Sequence, residues 1–349
     1  MAKKTFGING FGRIGRISFR IWYQKHKDSL DLKLINTSGS MEIEDWVHLI
    51  KYDTNYGNFG PEISFKKIRT TKQTSDENPE LGTILVGNKT IVLTAQKDPA
   101  KIPWAKYKVE TVIEATGIFV SEEKAGLHLQ AGAKNVIISA PPKGGNISTS
   151  VIGVNDFTKG GQIFANESCT TNCVAPIAQV MVQKFGVKKA SLTTIHSYTD
   201  DQNTQDNSHR DLRRARSAAQ NIIPTSTGAA IATTRVIPEL KGLFDGLAIR
   251  VPTPVGSLSD MVFVTKRATT IEEVNQALID ASKTKRWQGI IAVTRDPIVS
   301  SDIIGRDESS IVDLSLTNVI DGDLVKIVSW YDNEWGYSNR LIEQINTLK

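Results

Sequence analysis

A glycine-rich turn near the start of the chain constrains the fold most. Gly10, Gly12 and Gly15 stand in the spacing G-x-G-x-x-G within KTFGINGFGRIGR. An apolar run precedes the turn, and isoleucines recur at helical spacing after it, so the pattern predicts a strand, a tight turn and a helix. This order is typical of a dinucleotide-binding unit, because the glycines let the backbone approach a pyrophosphate at the helix N-terminus.

The segments that follow alternate between strands and helices up to about residue 168. LKLIN predicts a strand, VETVIEATG predicts a strand buried on both faces, and NVIISAP predicts another buried strand. TILVGNKTIVLTA predicts a hairpin that turns at Gly87-Asn88. Ser121 predicts the N-cap of a helix through SEEKAGLHLQAG. We therefore predict an α/β fold whose residues 1–168 form a doubly wound Rossmann domain.

The pattern changes after residue 168. ASLTTIHSYT, LAIRVPT, SDMVFVTKRAT and LVKIVSWYD are long alternating runs, the last after an Asp321-Gly322 turn. A helix with a Thr270…Glu273 capping box lies among them. Residues 169–333 therefore predict an α+β catalytic domain with a mostly antiparallel sheet covered by helices on one face. Residues 334–349 end in an amphipathic helix, and 200–224 form a long polar segment without predicted secondary structure.

Composition limits the classes of function. The 349 residues are 40% apolar and 23% charged, which is typical of a globular protein. We expect no membrane association, because no apolar run approaches the roughly 18 residues of a membrane span. The first residues contain no signal-peptide pattern, and the only cysteines are Cys169 and Cys173. Such a chain suits the reducing cytoplasm. The net charge of +5 is compatible with a solvated basic surface or with phosphorylated ligands.

The strand after the glycine turn ends without an expected carboxylate. In a dinucleotide-binding unit, an acidic residue about 20 positions after the turn binds the ribose hydroxyls. Here the strand ends in Asn36-Thr37, followed by Ser38 and Gly39. The glycine turn and this strand alone therefore leave the identity of the cofactor open.

ESCTTNCVAPIAQVMVQKF contains the candidate nucleophile. Cys169 stands among polar residues at a predicted helix start, where the helix N-terminus and a nearby imidazolium would lower the pKa of a thiol. Cys173, one turn further on, fits a buried core thiol. A metal site is not expected, because the sequence offers no further cysteine and no nearby histidine to complete it. His196 ends a predicted strand and is the candidate base, whereas the other histidines fit surface or core positions.

The chain resembles the phosphorylating glyceraldehyde-3-phosphate dehydrogenases. GINGFGRIGR, EATG, SAP, SCTTNC, HSYTDDQ, HRDLRRAR, PTSTGAA, RVPTP and WYDNEWGYS occur in that family's order over nearly the whole chain. The resemblance implies a homotetramer, a C-terminal helix that packs on the first domain, and oxidation of glyceraldehyde 3-phosphate through a thioester at Cys169. His196 is then the base, and inorganic phosphate cleaves the thioester.

The resemblance also implies the binding residues. One anion subsite comprises Ser168, Thr170, Arg214, Thr227 and Gly228, and the other comprises Thr199 and Arg250. The dinucleotide is bound by Gly10, Gly12, Arg13, Ile14, Gly15, Asn36, Thr116, Gly117 and Ser139, with Asn333 on the nicotinamide carboxamide and Tyr337 against its ring.

Three departures from NAD-specific members concern the cofactor. Thr37 replaces an aspartate, Asn207-Ser208 replaces Leu-Pro, and Lys97 replaces an arginine. Loss of the carboxylate removes repulsion from a ribose 2′-phosphate, and Thr37, Ser208 and Lys97 could bind that phosphate. We therefore expect NADP, or use of both NADP and NAD. Ile231, where the family often has lysine, has no functional interpretation.

Two other functions are compatible with parts of the sequence. An erythrose-4-phosphate dehydrogenase would share the scaffold, the cysteine and the histidine, but its relatives usually alter the phosphate subsite that Thr227-Gly228 preserves here. A nucleic-acid-binding module could use HRDLRRAR. That segment contains Asp211 and no interleaved aromatic residue, so no specific nucleic-acid partner is expected.

Overall fold

Two compact units make up the chain. The computed structural model describes residues 3–157 and 160–348. Within them, unit 1 comprises 3–149, 157, 160–167 and 338–348, and unit 2 comprises 150–156 and 168–337. This division differs from the predicted ranges 1–168, 169–333 and 334–349 at residues 150–156, 168 and 334–337.

Unit 1 is built on a predominantly parallel sheet. Its elements are β1 (Lys4–Asn9), α1 (Arg13–Ile21), β2 (Leu30–Thr37), α2 (Ile43–Lys51), β3 (Tyr52–Asp53), β4 (Gly57–Asn58), β5 (Ile63–Lys67), β6 (Glu80–Val86), β7 (Lys89–Ala95), β8 (Thr111–Glu114), α3 (Glu122–Gln130), β9 (Asn135–Ile138), β10 (Ser148–Thr149) and β11 (Ile163–Ala165). The sheet order is β10-β11-β9-β8-β1-β2-β7-β6-β5, with only the β5-β6-β7 pairings antiparallel. The predicted Rossmann-type fold is confirmed.

Local sequence explains these elements. All four residues of β8 are buried, as its continuous apolar pattern predicts for a strand covered on both faces. Gly87 has a φ of +53°, which allows the predicted turn between β6 and β7. The hydroxyl of Ser121 accepts a hydrogen bond from the Lys124 N–H, so the predicted N-cap of α3 is confirmed.

Unit 2 contains a mixed sheet with mostly antiparallel pairings. Its elements are α4 (Cys169–Phe185), β12 (Val187–Ser197), β13 (Ile223–Ser226), α5 (Ala229–Val236), β14 (Phe244–Val251), β15 (Ser257–Thr265), α6 (Ile271–Lys283), β16 (Ile291–Thr294), β17 (Ser310–Asp313), β18 (Asn318–Ile320) and β19 (Leu324–Tyr331). The order is β13-β14-β12-β15-β19-β17-β16, and β18 pairs with β19. Only β12–β14 and β16–β17 are parallel. The predicted sheet-rich catalytic fold is confirmed.

One capping prediction is half right. The Thr270 hydroxyl accepts from the Glu273 N–H at 3.2 Å and begins α6. The Glu273 carboxylate instead accepts from Thr269 at 2.8 Å and from Arg267 at 2.7 Å. A guanidinium is a stronger donor to a carboxylate than a backbone amide, so the reciprocal half of the box is replaced.

The chain ends in helix α7 (Trp335–Thr347), whose residues from 338 onward belong to unit 1. The Lys4 ammonium donates to the carbonyl oxygens of Ile345 at 3.2 Å and Asn346 at 3.1 Å, and also to that of Leu348. These carbonyls lie at the C-terminal end of α7, where helical carbonyls lack partners and a cation is favourable. Lys4 therefore fixes the end of α7 within unit 1.

Candidate active site

Cys169 and His196 are brought together within unit 2. Cys169 is the first residue of α4, and the Ser168 hydroxyl caps this helix by accepting from the Thr171 N–H at 3.0 Å. His196 lies near the end of β12 and is 4% exposed. The Cys169 Sγ is 3.4 Å from the His196 Nε2. A thiol and an imidazole at this distance can exchange a proton directly.

A backbone carbonyl fixes the tautomer of His196. Its Nδ1 is 2.6 Å from the Ser197 carbonyl oxygen, which can only accept, so Nδ1 carries the proton and donates it. The Nε2 facing Cys169 is then free to accept. Burial and the positive charge of Arg250 lower the pKa of His196 to about 3, so the imidazole is neutral in the free protein at neutral pH.

The thiol differs from the expectation drawn from the sequence. Burial raises the pKa of Cys169, and the Arg250 charge and hydrogen bonds involving Thr170 oppose this shift. The expected imidazolium beside the thiol is wrong for the free protein, because burial next to Arg250 disfavours a second positive charge. The geometry therefore supports a neutral base that takes the thiol proton during attack.

Cys173 has the environment of a core residue. It is fully buried, and its Sγ is 3.9 Å from the Ser310 hydroxyl. Burial raises the pKa of Cys173 to about 11. A thiol that is both inaccessible and protonated is inert, which fits the predicted packing role.

Tyr331, which the sequence analysis missed, contacts His196 and the residue that follows Cys169. The Tyr331 hydroxyl lies 2.8 Å from the Thr170 hydroxyl and 2.9 Å from the Thr194 hydroxyl. Its ring packs edge-on against His196 with a centroid separation of 5.9 Å. Tyr331 therefore holds the first turn of α4 and the end of β12 together. The alternating pattern of β19 indicated its burial but not these partners.

One carboxylate, that of Asp201, interacts with both predicted arginines, directly with Arg214 and through Thr199 with Arg250. Arg250 donates from Nη1 to the Thr199 hydroxyl at 2.7 Å and to the Ser197 carbonyl at 3.0 Å. The Thr199 hydroxyl in turn donates to Asp201, which also forms an ion pair of 2.7 Å with Arg214. The hydrogen bond from Thr199 and the charges of Arg250 and Arg214 outweigh desolvation and lower the pKa of Asp201. Asp201 thus links the two predicted anion subsites, and sequence analysis missed it.

The other predicted substrate residues differ in availability. Thr170 is 4% exposed and its hydroxyl is turned toward Tyr331. The Ser168 hydroxyl lies 2.7 Å from the Thr171 hydroxyl. Thr227 accepts from the Ala229 N–H at 3.2 Å, and Gly228 caps α5 in open space, where an added Cβ would have no atom within 4 Å. The start of α5 is therefore open to an anion.

The glycine turn in unit 1 has the close approaches that its motif predicts. Gly10 has a φ of +93°, and a Cβ added at Gly15 would lie 2.1 Å from the Gly10 carbonyl oxygen. Gly12 is exposed and precedes α1, whose N-terminus has no side-chain cap. Arg13 pairs with Asp53 at 2.6 Å. The N–H groups at an uncapped helix start can donate hydrogen bonds to a pyrophosphate.

Asn36 and Thr37 are turned into unit 1. Both are buried, at 3% and 2% exposure. The Thr37 hydroxyl donates to the Thr94 carbonyl at 3.1 Å and accepts from the Gly39 N–H at 3.3 Å. Its only proton is therefore already used, so the predicted donation from Thr37 to a phosphate is wrong in this conformation. The neighbouring Ser38 is exposed, and sequence analysis missed it because it follows the end of the strand.

The remaining predicted cofactor residues lie on α1, follow strand ends or lie in unit 2. Lys97 and Ser208 are exposed. The Asn333 carbonyl accepts from the Gly256 N–H at 3.1 Å and the Ser257 hydroxyl at 2.9 Å, which turns its amide N–H₂ the other way. The other positions are Ile14, which is half-buried on α1, Thr116 and Gly117 after β8, Ser139 after β9, and Tyr337, which is 5% exposed on α7.

The described residues offer neither a metal cluster nor a membrane-spanning helix. In residues 3–157 and 160–348, no group of three or more His, Cys, Asp or Glu side chains is arranged to hold a metal ion. No helix within the same described ranges combines the length and apolar character needed to span a bilayer.

Comparison with known proteins identifies the family. Residues 4–122 match the model of the glyceraldehyde 3-phosphate dehydrogenase NAD binding domain, and residues 168–333 match that of its C-terminal domain. The chain belongs to the glyceraldehyde-3-phosphate dehydrogenase family. It is thus an NAD(P)-dependent dehydrogenase that oxidises glyceraldehyde 3-phosphate with a nicotinamide cofactor.

Similar proteins cover nearly the whole chain. It is 47% identical to glyceraldehyde-3-phosphate dehydrogenase B, chloroplastic, of Pisum sativum over 347 residues, which is 98% of this chain and 73% of that protein. It is 48% identical to glyceraldehyde-3-phosphate dehydrogenase 2 of Nostoc sp. over 339 residues, or 96% of each. It is 45% identical to glyceraldehyde-3-phosphate dehydrogenase A, chloroplastic, of Chlamydomonas reinhardtii over 343 residues, or 98% and 87%.

Proposed function

We propose that this dehydrogenase forms an acyl thioester on Cys169 and releases it to inorganic phosphate, with NADP as the favoured cofactor. The contact of 3.4 Å between the Cys169 Sγ and the His196 Nε2 carries the proposal. Without a base at that distance, the protonated thiol would be a poor nucleophile at neutral pH.

The proposed steps assign each proton to an atom. The Cys169 Sγ attacks the aldehyde carbon while the His196 Nε2 takes the thiol proton and passes it to the aldehyde oxygen. A bound nicotinamide supplies the acceptor for the hydride that leaves this carbon. The His196 Nε2 takes the hydroxyl proton again as the thioester forms. The Cys169 N–H and the His196 side chain stabilise the developing oxyanion.

The two anion subsites are proposed to bind the substrate phosphate and the attacking phosphate. Arg250 with Thr199 supplies one set of donors, and Arg214 with the open start of α5 at Gly228 supplies the other. A guanidinium and backbone N–H groups are the donors that phosphate oxygens require. The negative charge of Asp201 offsets the positive charges of both arginines until a bound anion competes for them.

The proposed preference for NADP rests on charge. No carboxylate stands at position 37, and Lys97 adds a positive charge on the exposed loop after β7. In unit 1 the exposed hydroxyl of Ser38 can donate to a 2′-phosphate, since that of Thr37 is engaged. Ser208 is proposed as a further donor on the family resemblance alone. The residues in unit 1 also fit a dinucleotide, because the Gly10–Gly15 turn leaves the start of α1 uncapped.

A homotetramer is proposed from the family resemblance, and unit 2 has exposed apolar side chains that another copy could cover. Leu212, Ile222 and Leu247 are 81%, 72% and 45% exposed, respectively. Light scattering coupled to size exclusion should give a mass four times the 38.3 kDa of the chain.

A reducing compartment fits the two free thiols, and two of the relatives named above are chloroplastic.

Steady-state kinetics test the proposed function. Oxidation of glyceraldehyde 3-phosphate should require phosphate or arsenate, and kcat/KM should be higher with NADP than with NAD. Steady oxidation without phosphate, releasing the free acid, would favour erythrose-4-phosphate chemistry. A kcat/KM that is higher with NAD would contradict the cofactor assignment.

A further inference from the structure

Three buried polar residues end neighbouring parallel strands in unit 1. Asn9 ends β1, Asn36 is the next-to-last residue of β2, and Glu114 ends β8. The strand register pairs Asn9 with both of the others. Their exposures are 2%, 3% and 1%. The turns that bind a dinucleotide in the proposed function follow directly on these strand ends.

Glu114 is a buried carboxylate surrounded by donors. Its Oε2 accepts from the Asn9 amide at 2.6 Å and contacts the His128 Nε2 at 2.9 Å. Its Oε1 accepts from the Thr116 N–H at 2.8 Å and from the hydroxyl of the same residue. A carboxylate can only accept, so every neighbour must present a hydrogen atom to it.

The orientation of His128 follows from Trp104. An indole N–H can only donate, and that of Trp104 donates to the His128 Nδ1 at 3.1 Å. The His128 Nδ1 therefore accepts, and the ring proton is on Nε2, facing Glu114. In this tautomer the His128 Nε2 donates to the Glu114 carboxylate.

The accepting oxygens of Glu114 set the orientation of a chain of side-chain amides. Asn9 must turn its N–H₂ to Glu114, so its carbonyl faces Asn36, whose N–H₂ donates to it at 2.8 Å. The side-chain carbonyl of Asn36 therefore points away from Asn9. It accepts from the Thr94 hydroxyl at 2.8 Å and from the Gln96 N–H at 3.0 Å. The second proton of the Asn36 amide goes to the Gln96 carbonyl at 2.8 Å. All four hydrogen-bonding positions of Asn36 are thereby used within the protein.

Backbone hydrogen bonds connect this chain to the turns. The Gly10 N–H donates to the backbone carbonyl of Asn36 at 3.0 Å, and the Ala115 N–H donates to the backbone carbonyl of Asn9 at 2.7 Å. A Cβ added at Gly10 would lie 2.8 Å from Thr116. The glycine turn, the turn after β2 and the turn after β8 are therefore held against one another.

We propose that Glu114 is a positioning residue for the nicotinamide cofactor. Its carboxylate fixes the orientation of Asn9 and then of Asn36, and so fixes the three turns that bind the dinucleotide. Asn36 then acts through the backbone and not as a direct ligand. The proposal rests on the proposed binding of a dinucleotide by unit 1.

Glu114→Gln tests the proposal with a side chain of the same shape. The new N–H₂ must face either Thr116 or the Asn9 and His128 donors, and His128 cannot exchange tautomers while Trp104 donates to it. We expect the Kd of NADP and of NAD, measured by calorimetry, to rise about tenfold, as for one hydrogen bond lost in the complex. The kcat at saturating cofactor should stay within about threefold, because the reacting atoms are untouched.

Val112→Ala on the same strand is the matched control. Val112 is fully buried in β8 and its side chain has no hydrogen-bonding group, so its truncation leaves a cavity without removing a hydrogen bond. Its cofactor Kd should stay within about twofold of wild type. Equal Kd values for Glu114→Gln and Val112→Ala would overturn the proposal, as would a loss of kcat with unchanged Kd.

A second variant decides the question if Glu114→Gln does not fold. Thr94→Val is nearly isosteric and removes only the hydroxyl that donates to Asn36. It should raise the Kd of both cofactors about threefold, and an unchanged Kd would overturn the proposal. If wild type binds neither NADP nor NAD, the proposed function itself fails, which distinguishes the two failures.

Discussion

Replacing Thr37 by aspartate should reverse the cofactor preference. Thr37 is 2% exposed and uses its hydroxyl between the Thr94 carbonyl and the Gly39 N–H. An aspartate keeps the bond from Gly39 but cannot donate to Thr94. Its second oxygen must therefore turn away from that carbonyl, toward the loop on which the exposed Ser38 lies. Ribose hydroxyls can donate to such a carboxylate, whereas a 2′-phosphate is repelled by it.

The expected change in cofactor specificity is the sum of several free-energy contributions of opposite sign. Loss of the bond to Thr94 and partial burial of the carboxylate cost about 1–2 kcal/mol, irrespective of the cofactor. Charged hydrogen bonds to the ribose hydroxyls of NAD return about 1.5–3 kcal/mol. A carboxylate about 5 Å from a phosphate costs NADP roughly 2 kcal/mol in a partly solvated site. The ratio of specificities should therefore move about a hundredfold or more toward NAD, while stability without cofactor falls.

The assay is steady-state kinetics with both cofactors at saturating glyceraldehyde 3-phosphate and phosphate. Thr37→Asn is the matched control, because it has the shape of aspartate without its charge. Thr37→Asp should change mainly the KM of the cofactors, since the ribose is remote from the reacting carbon. Equal changes in Thr37→Asp and Thr37→Asn, or a ratio that moves less than about threefold, would refute the electrostatic reasoning.

Further predictions concern the reacting residues. Cys173→Ser should retain most activity, because the fully buried Cys173 does not reach the substrate; a loss as large as that of Cys169→Ser would contradict this. His196→Asn should lower kcat by about two to four orders of magnitude with little change in cofactor binding. Asp201→Asn frees Arg214 from its ion pair of 2.7 Å, so the KM of phosphate should fall about threefold, and a rise would contradict the assignment of Asp201 as a competing anion. His196 should also make folding acid-sensitive: its pKa is about 3 in the folded protein against an ordinary 6.5, so the unfolded chain alone takes up a proton as the pH falls between these values. Thermal or denaturant unfolding of wild type should thus lose up to about 1.4 kcal/mol per pH unit in that window, and His196→Asn should lose less; equal losses would show that His196 is not buried as a neutral ring.

Sequence patterns predicted the elements that local chemistry determines. The glycine turn lies between β1 and α1, Gly87 turns the β6–β7 hairpin, and Cys169 begins α4. Each depends on a special backbone conformation or on hydrophobic periodicity, which a single segment specifies by itself. The family resemblance further predicted that His196 would meet Cys169, which spacing alone left open.

The sequence did not predict the partners of polar side chains. Thr37 is turned inward because Thr94, on a neighbouring strand, offers a carbonyl, and no local pattern reveals that neighbour. Asp201 pairs with Arg214 across an irregular segment that has no periodicity to follow. The lowered pKa of His196 likewise depends on burial beside Arg250, which is distant in sequence. Side-chain direction and electrostatics at the site arise from tertiary structure.

A single-turnover experiment tests the central claim most directly. Enzyme mixed with glyceraldehyde 3-phosphate and NADP, without phosphate or arsenate, should release a burst of one NADPH per subunit and then stall. Mass spectrometry of the quenched enzyme should find one 3-phosphoglyceroyl group on the peptide that contains Cys169, and phosphate should remove it and restart turnover. No burst should occur with Cys169→Ser. Continued NADPH formation without phosphate, or an acyl group on another residue, would contradict the account.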